Sequence, residues 1–306
     1  NSLNNKKNIV LFQGDSWMQE ITLKGEYNFK SIDLMTKIGR EHSIGFINAG
    51  TQSYSPSLMS VQLETLENDF NIYPNTIIAF INQTDIGDEI CMYQKNKIFK
   101  NGVLHAVKPE TDLSGPGWFN YQQSYVFSKI YLSKKNKIIK TFNIINAKYK
   151  YSLSRSAKRF YLKYLVNEEA NVDKFKKCYN EDMEKYLISP SDNDIKYFEK
   201  SIIEYLNKIE QKKHIKNIIL VSFPSKKHFK DKSKKSIYSF NVSDKLDNII
   251  LNRKNVKHIN FSKILLNNEN LKEKNIWRED NVHLKPEYYS NLFLKKILSD
   301  LLNYIL

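Results

Sequence analysis

Of the 306 residues only two are cysteine, Cys91 and Cys178, and neither stands in a CxxC-type pair. A zinc site and a disulfide framework are therefore not indicated, and free thiols are the expectation. The six histidines are scattered at 42, 105, 214, 228, 258 and 283. No two of them have metal-ligand spacing beside an acid, so neither a metal nor a cofactor is expected. Long apolar runs are missing as well. Nothing approaches the roughly eighteen residues that would cross a bilayer, and Asn1-Ser2-Leu3-Asn4-Asn5-Lys6-Lys7 has no signal-peptide core. The chain also lacks an initiator methionine, so we expect a trimmed or partial chain and leave its compartment open. Internal repeats and low-complexity tracts are absent.

Acid is scarce relative to base. Lysine and arginine total 48 against 33 aspartates and glutamates, a formal net charge of +15. Such a charge admits nucleic acid, anionic lipid or acidic glycan as partners. The lysines are spread along the chain, however, and no basic-aromatic motif of the nucleic-acid binders is present. No nucleic-acid partner is expected. The densest basic stretch, residues 226 to 235, follows an expected strand and reads as a solvated loop that would still attract a polyanionic substrate.

Hydrophobic residues make up 41% and aromatics 13%, enough for a globular core. Five short, nearly all-apolar runs stand out at 8–12, 44–48, 76–82, 216–223 and 256–261, as parallel strands buried on both faces would look. Helical spacing lies between them at Ile32–Ile38 and Leu58–Phe70, and again in a last helix from about Pro286 to Ile305. Ser55 followed by Pro56 marks the start of the second helix. The pattern predicts an α/β fold, doubly wound, with a mainly parallel five-stranded sheet. Residues 86–200 are too long for one crossover and are expected to be a large, mostly helical insertion, leaving 1–85 and 201–306 as the core.

The first run ends abruptly in Gly14-Asp15-Ser16, and Asp280-Asn281-Val282-His283 stands near the other end of the chain. A serine hydroxyl is a poor nucleophile at neutral pH, so acyl transfer needs an imidazole in reach and a carboxylate to fix its tautomer. Ser16, His283 and Asp280 supply those three groups. Three-residue spacing would put Asp280 and His283 on one side of a helical turn. Asp15 reads as a residue that shapes the turn. Asp85 with Asp88-Glu89 has the composition of a glycosidase pair, yet nothing fixes its separation.

Two further runs end in polar residues in the same order, one at Gly50 and one at Asn82-Gln83-Thr84-Asp85. With these blocks the chain resembles the SGNH (GDSL-like) hydrolases from residue 9 to residue 290. The resemblance implies a sheet of SGNH-hydrolase type and an oxyanion hole built from the backbone N–H groups of Ser16 and Gly50 and an asparagine side chain. The third block departs from the family pattern: Asn82 stands where a glycine is usual and Thr84 where the asparagine is usual. The third donor is then Thr84 or Asn82.

The expected function is a serine esterase acting on acyl groups, above all O-acetyl, of a carbohydrate or other small ester. One alternative is an O-acetyltransferase that moves the group onto a bacterial-type surface glycan, including an acidic one, with the same triad. Another is a non-catalytic glycan-binding module on the same fold. Trp118, beside Phe119, Tyr121 and Tyr125 in the insertion, and Trp277, near the expected base, are the candidate substrate-binding aromatics.

Overall fold

A computed structural model of the chain describes residues 6–22, 28–107, 186, 189–224, 241–267, 276–278 and 283–305. The chain divides into two compact units, one of residues 1–90 with 183–306 and one of residues 91–182.

The first unit is an α/β sandwich around one parallel sheet. Its strands are β1 (Asn8–Gln13), β2 (Ile44–Asn48), β3 (Thr76–Phe80), β6 (Asn217–Ser222) and β7 (Val256–Asn260), in the order β2-β1-β3-β6-β7. Every pairing is parallel. All five residues of β3 are buried, which is why this strand has no polar-apolar alternation. The chain adds β2 on one side of β1 and then β3 on the other. That reversal opens a crevice at the carboxyl ends of β1 and β3, where ligands of such sheets bind.

Helices cover both faces. α1 (Ser16–Glu20), α2 (Asn28–Glu41), α3 (Pro56–Phe70) and the single turn α4 (Asp85–Gly87) come before the second unit. α5 (Asp192–Glu210), α6 (Val242–Ile250), α7 (Phe261–Leu266), α8 (Pro286–Tyr288) and α9 (Lys295–Ile305) come after it. α3 packs on α5 and α5 on α6, whereas α2 packs on the wide π-type turns of Tyr289–Leu294 that join α8 to α9. Those turns rotate Tyr289, Phe293 and Leu294 into the core beside Ile297, Leu298 and Leu301. α5 opens with a reciprocal capping box, Ser191 bonding the Asp194 amide and Asp194 the Ser191 amide, so two otherwise unpaired helix-end donors are satisfied.

The second unit is described over one antiparallel hairpin, β4 (Lys97–Lys100) with β5 (Val103–Val107), turning through Asn101-Gly102. Both turn residues have positive φ, 52° and 76°, as this kind of hairpin turn demands. Trp118, Phe119, Tyr121 and Tyr125 lie outside the described residues.

The free-thiol expectation is corrected. Cys91 is disulfide-bonded; Cys178, the other cysteine of the sequence, lies outside the described residues. Pairing depends on how near the fold brings two α-carbons, and distance along the chain says nothing of that. No described helix is long and apolar enough to cross a membrane.

Candidate active site

The strand-to-helix turn after β1 is built for close approach. Gly14 has φ +144°, and a β-carbon there would stand 2.8 Å from Phe80 Cβ. Only glycine takes both the conformation and the space. Asp15 follows as the N-cap of α1, its carboxylate accepting from the Trp17 amide at 2.9 Å. Ser16 is thereby the first helical residue. Among the described residues nothing accepts its N–H, as expected of a first-turn amide.

Ser16 Oγ lies 2.7 Å from His283 Nε2, although the two are 267 residues apart in sequence. His283 stands just before α8. An isolated antiparallel bridge joins Trp277 to Leu284, and Lys285 donates its amide to Ile276 O at 2.9 Å. The imidazole rests on the Trp17 indole, ring centroids 5.9 Å apart. Asp280 lies outside the described residues.

Trp277 is 5% exposed and packs edge-on against Trp17 and Phe223. It belongs to the aromatic core under the serine and presents no open face.

The three side-chain and backbone donors expected besides the serine amide all have partners. Gly50 N–H donates to Asn48 Oδ1 at 2.9 Å. Its lack of a side chain has its own cause, since a β-carbon there would stand 2.5 Å from the Gln19 nitrogen. The Thr84 hydroxyl gives its proton to Asn82 Oδ1, which also accepts from the Thr84 amide. Asn82 Nδ2 donates to Asp15 Oδ2 at 3.2 Å. An amide nitrogen carries two hydrogens, and no described residue takes the second one.

Buried acids surround this arrangement. Burial pushes Asp15 up to about 6, against the Trp17 amide, the nearby His283 and the Asn82 amide, which all favour the ionised form. Asp85 is held well above the ordinary carboxylate range by burial and by Asp15 and Asp88. Asp88 is pushed the same way by burial, Asp15 and Glu89. Glu89 is fully buried but richly partnered. It accepts from Ser55 Oγ at 2.7 Å, from Ser57 N at 2.7 Å, from Ser57 Oγ at 2.8 Å and from Ser201 Oγ at 3.3 Å. Ser55 occupies the cap position of α3, yet its own side chain makes no cap bond. A carboxylate from another element stands there instead, where the helix dipole favours negative charge.

A second serine-histidine-aspartate line exists that no motif in the sequence announces. Ser222 Oγ is 2.7 Å from His258 Nε2, and His258 Nδ1 is 2.7 Å from Asp247 Oδ1. The chemistry differs from that at Ser16. Ser222 is only 1% exposed, and its hydroxyl is also bonded to Ser243, which meets Ser262 in turn. Burial lowers the His258 pKa, against the opposite pull of Asp247. This line closes inside the fold and ties α6 to β6 and β7.

Among the described residues no group of three or more His, Cys, Asp or Glu side chains is arranged to hold a metal ion.

No protein-family model matches the chain, and no curated protein does. Solved structures similar to it include a catalytic mutant of Axe2, an acetylxylan esterase from Geobacillus stearothermophilus, at 10% identity and TM-score 0.46, covering 96% of this chain and 94% of that one. The acetyl xylan esterase AlAXEase is 16% identical at TM-score 0.41, covering 95% and 98%. LAE5, an alpha/beta hydrolase enzyme from the metagenome of Lake Arreo, Spain, is 9% identical at TM-score 0.42, covering 96% and 97%. The fold is defined by its own strand order, β2-β1-β3-β6-β7.

Proposed function

We propose that the chain is an SGNH-type serine esterase that removes acyl groups, O-acetyl above all, from a carbohydrate. The observation that carries this reading is the 2.7 Å contact between Ser16 Oγ and His283 Nε2 at the carboxyl ends of the strands. Ser222, which has an equally short contact to a histidine, is sealed from substrate, so Ser16 is the nucleophile of choice.

In this mechanism Ser16 Oγ attacks the ester carbonyl carbon while its proton passes to His283 Nε2. The carbonyl oxygen becomes an oxyanion and is met by the Ser16 N–H and the uncommitted hydrogen of Asn82 Nδ2. Collapse breaks the bond to the sugar oxygen, which leaves with the proton from His283. Water then repeats the sequence on the acyl-Ser16 ester and releases the carboxylic acid. Asp280 holds the far side of the imidazole in this reading, and an ionised Asp15 favours the transient imidazolium.

The test is incubation with p-nitrophenyl acetate, with and without a sugar acceptor, followed by mass measurement of the peptide containing Ser16. An acetyl adduct on Ser16 with steady p-nitrophenol release supports the esterase. Transfer to the sugar in preference to water would replace it with the acetyltransferase, and no adduct at all would leave a binding module. Ser16→Ala and His283→Ala are each expected to lower turnover by roughly 10³-fold or more, and the double variant to be little worse, because such residues act as a unit.

A further inference from the structure

Ser16 and His283 approach within hydrogen-bond distance from elements that share no local sequence, so something must hold the two elements in register. Ser16 opens α1, a helix of only five residues whose last residue is Glu20. His283 is held beside Arg278, whose amide donates to His283 O at 2.9 Å. The far ends of the same two elements are joined directly. Arg278 Nη1 donates to Glu20 Oε1 at 3.1 Å and Arg278 Nη2 to Glu20 Oε2 at 2.7 Å. Two parallel bonds from a planar guanidinium fix rotation as well as distance, which a single contact does not. The guanidinium carbon also lies 5.8 Å from the centroid of the Tyr289 ring, and Tyr289 packs on Trp17 one residue after the nucleophile.

We propose that Glu20 and Arg278 form a positioning clamp that holds the segment carrying His283 against the helix carrying Ser16 and keeps Ser16 Oγ and His283 Nε2 at transfer distance. This rests on the reading of Ser16 and His283 as an acyl-transfer pair. An ordinary partly exposed ion pair contributes little to stability. A clamp of this kind acts on rate instead, because misplacing a catalytic group by about 1 Å costs on the order of 10² in turnover. Glu20 and Arg278 act through the elements that carry Ser16 and His283, so their role is positioning.

The experiment compares wild type with Arg278→Gln, Glu20→Gln, the double variant, and the charge swap Glu20→Arg with Arg278→Glu. Each single variant is expected to lower kcat for p-nitrophenyl acetate by about 10- to 100-fold. KM should stay within about twofold, since the lost interaction concerns the reaction step. The melting temperature should fall by no more than about 3 °C. The double variant should be no slower than the slower single one, and the swap should recover part of the rate. Hydrogen exchange gives a reading independent of activity: the Lys285 amide in both single variants, and the Arg278 amide in Glu20→Gln, should exchange about tenfold faster as the segment loosens.

Unchanged exchange overturns the clamp whether or not the protein turns over ester. Faster exchange with unchanged kcat overturns its catalytic role, as do additive rate losses that track a large fall in melting temperature. Failure of the underlying reading shows separately, as a wild-type protein that Ser16-directed fluorophosphonate does not label, and the catalytic role of the clamp then falls with it.

Discussion

Asn82 donates from Nδ2 to Asp15 Oδ2 across the crevice between β3 and β1, joining residues 67 apart in the chain at 3.2 Å. The bond ties the third polar segment to the residue beside Ser16 and orients the Asn82 amide. Thr84 secures the other end of that amide by donating to its oxygen. Asn82→Ala is accordingly expected to lower kcat about 10²-fold. Thr84→Val, which removes only the orienting bond, should cost less than about tenfold. Steady-state kinetics with circular dichroism as a folding control checks both, and an equal loss in the two variants would return Thr84 to the role of direct donor.

Asp15 makes stability depend on pH with a defined sign. Its folded value of about 6 lies above the ordinary 3.8, so ionisation costs more in the folded state than in the unfolded one. The stabilisation is complete below about pH 3.8 and is lost as pH rises through about 6. One such proton contributes a slope of at most about 1.4 kcal/mol per pH unit. Asp15→Asn keeps an oxygen for the Trp17 amide and should flatten the fall of unfolding free energy between about pH 4 and 6. Urea titrations across that range measure it.

Ser222→Ala separates the two serine-histidine lines. It breaks a buried bond to His258 and another to Ser243, so a loss of about 1 to 3 kcal/mol in stability is expected. Turnover should stay within about twofold of wild type once the protein is folded, in contrast to the loss of roughly 10³ in Ser16→Ala. A loss of 10³ in Ser222→Ala at full folding would exchange the roles assigned to the two serines.

Glu89→Ala strips the serine cage at the start of α3 of the acceptor its hydroxyls share. Three hydroxyls and one helix-end amide lose a charged partner, and the expected cost is about 3 kcal/mol or more. Ser55→Ala removes a single bond and should cost about 1 kcal/mol. Chemical denaturation ranks the two.

The sequence by itself determined the sheet. Runs such as Ile44–Asn48 and Thr76–Phe80 are apolar on both faces, and only a parallel strand covered by helices on each side buries such a run, so strand number, helix alternation and the crevice all follow from local pattern. Ser16 stood out as a candidate by the order of blocks, Gly14-Asp15-Ser16 first, then the runs ending at Gly50 and at Asn82-Gln83-Thr84-Asp85, and His283 near the other end of the chain. Local pattern is silent about which distant atoms meet. It placed a cap at Ser55, whereas the bond at that helix start comes from Glu89, thirty-two residues beyond Ser57. It offered Trp277 as a binding surface, and packing against Trp17 buried it. It left Cys91 a free thiol, and the fold put it in a disulfide. Nothing in the spacing of Ser222, Asp247 and His258 announced a line of short bonds, and nothing in Glu20 and Arg278 announced a fork between two elements. Partner choice of this kind is set by packing the whole chain into one volume, where side chains remote in sequence are left with no other acceptor in reach, and so the tertiary structure alone decided it.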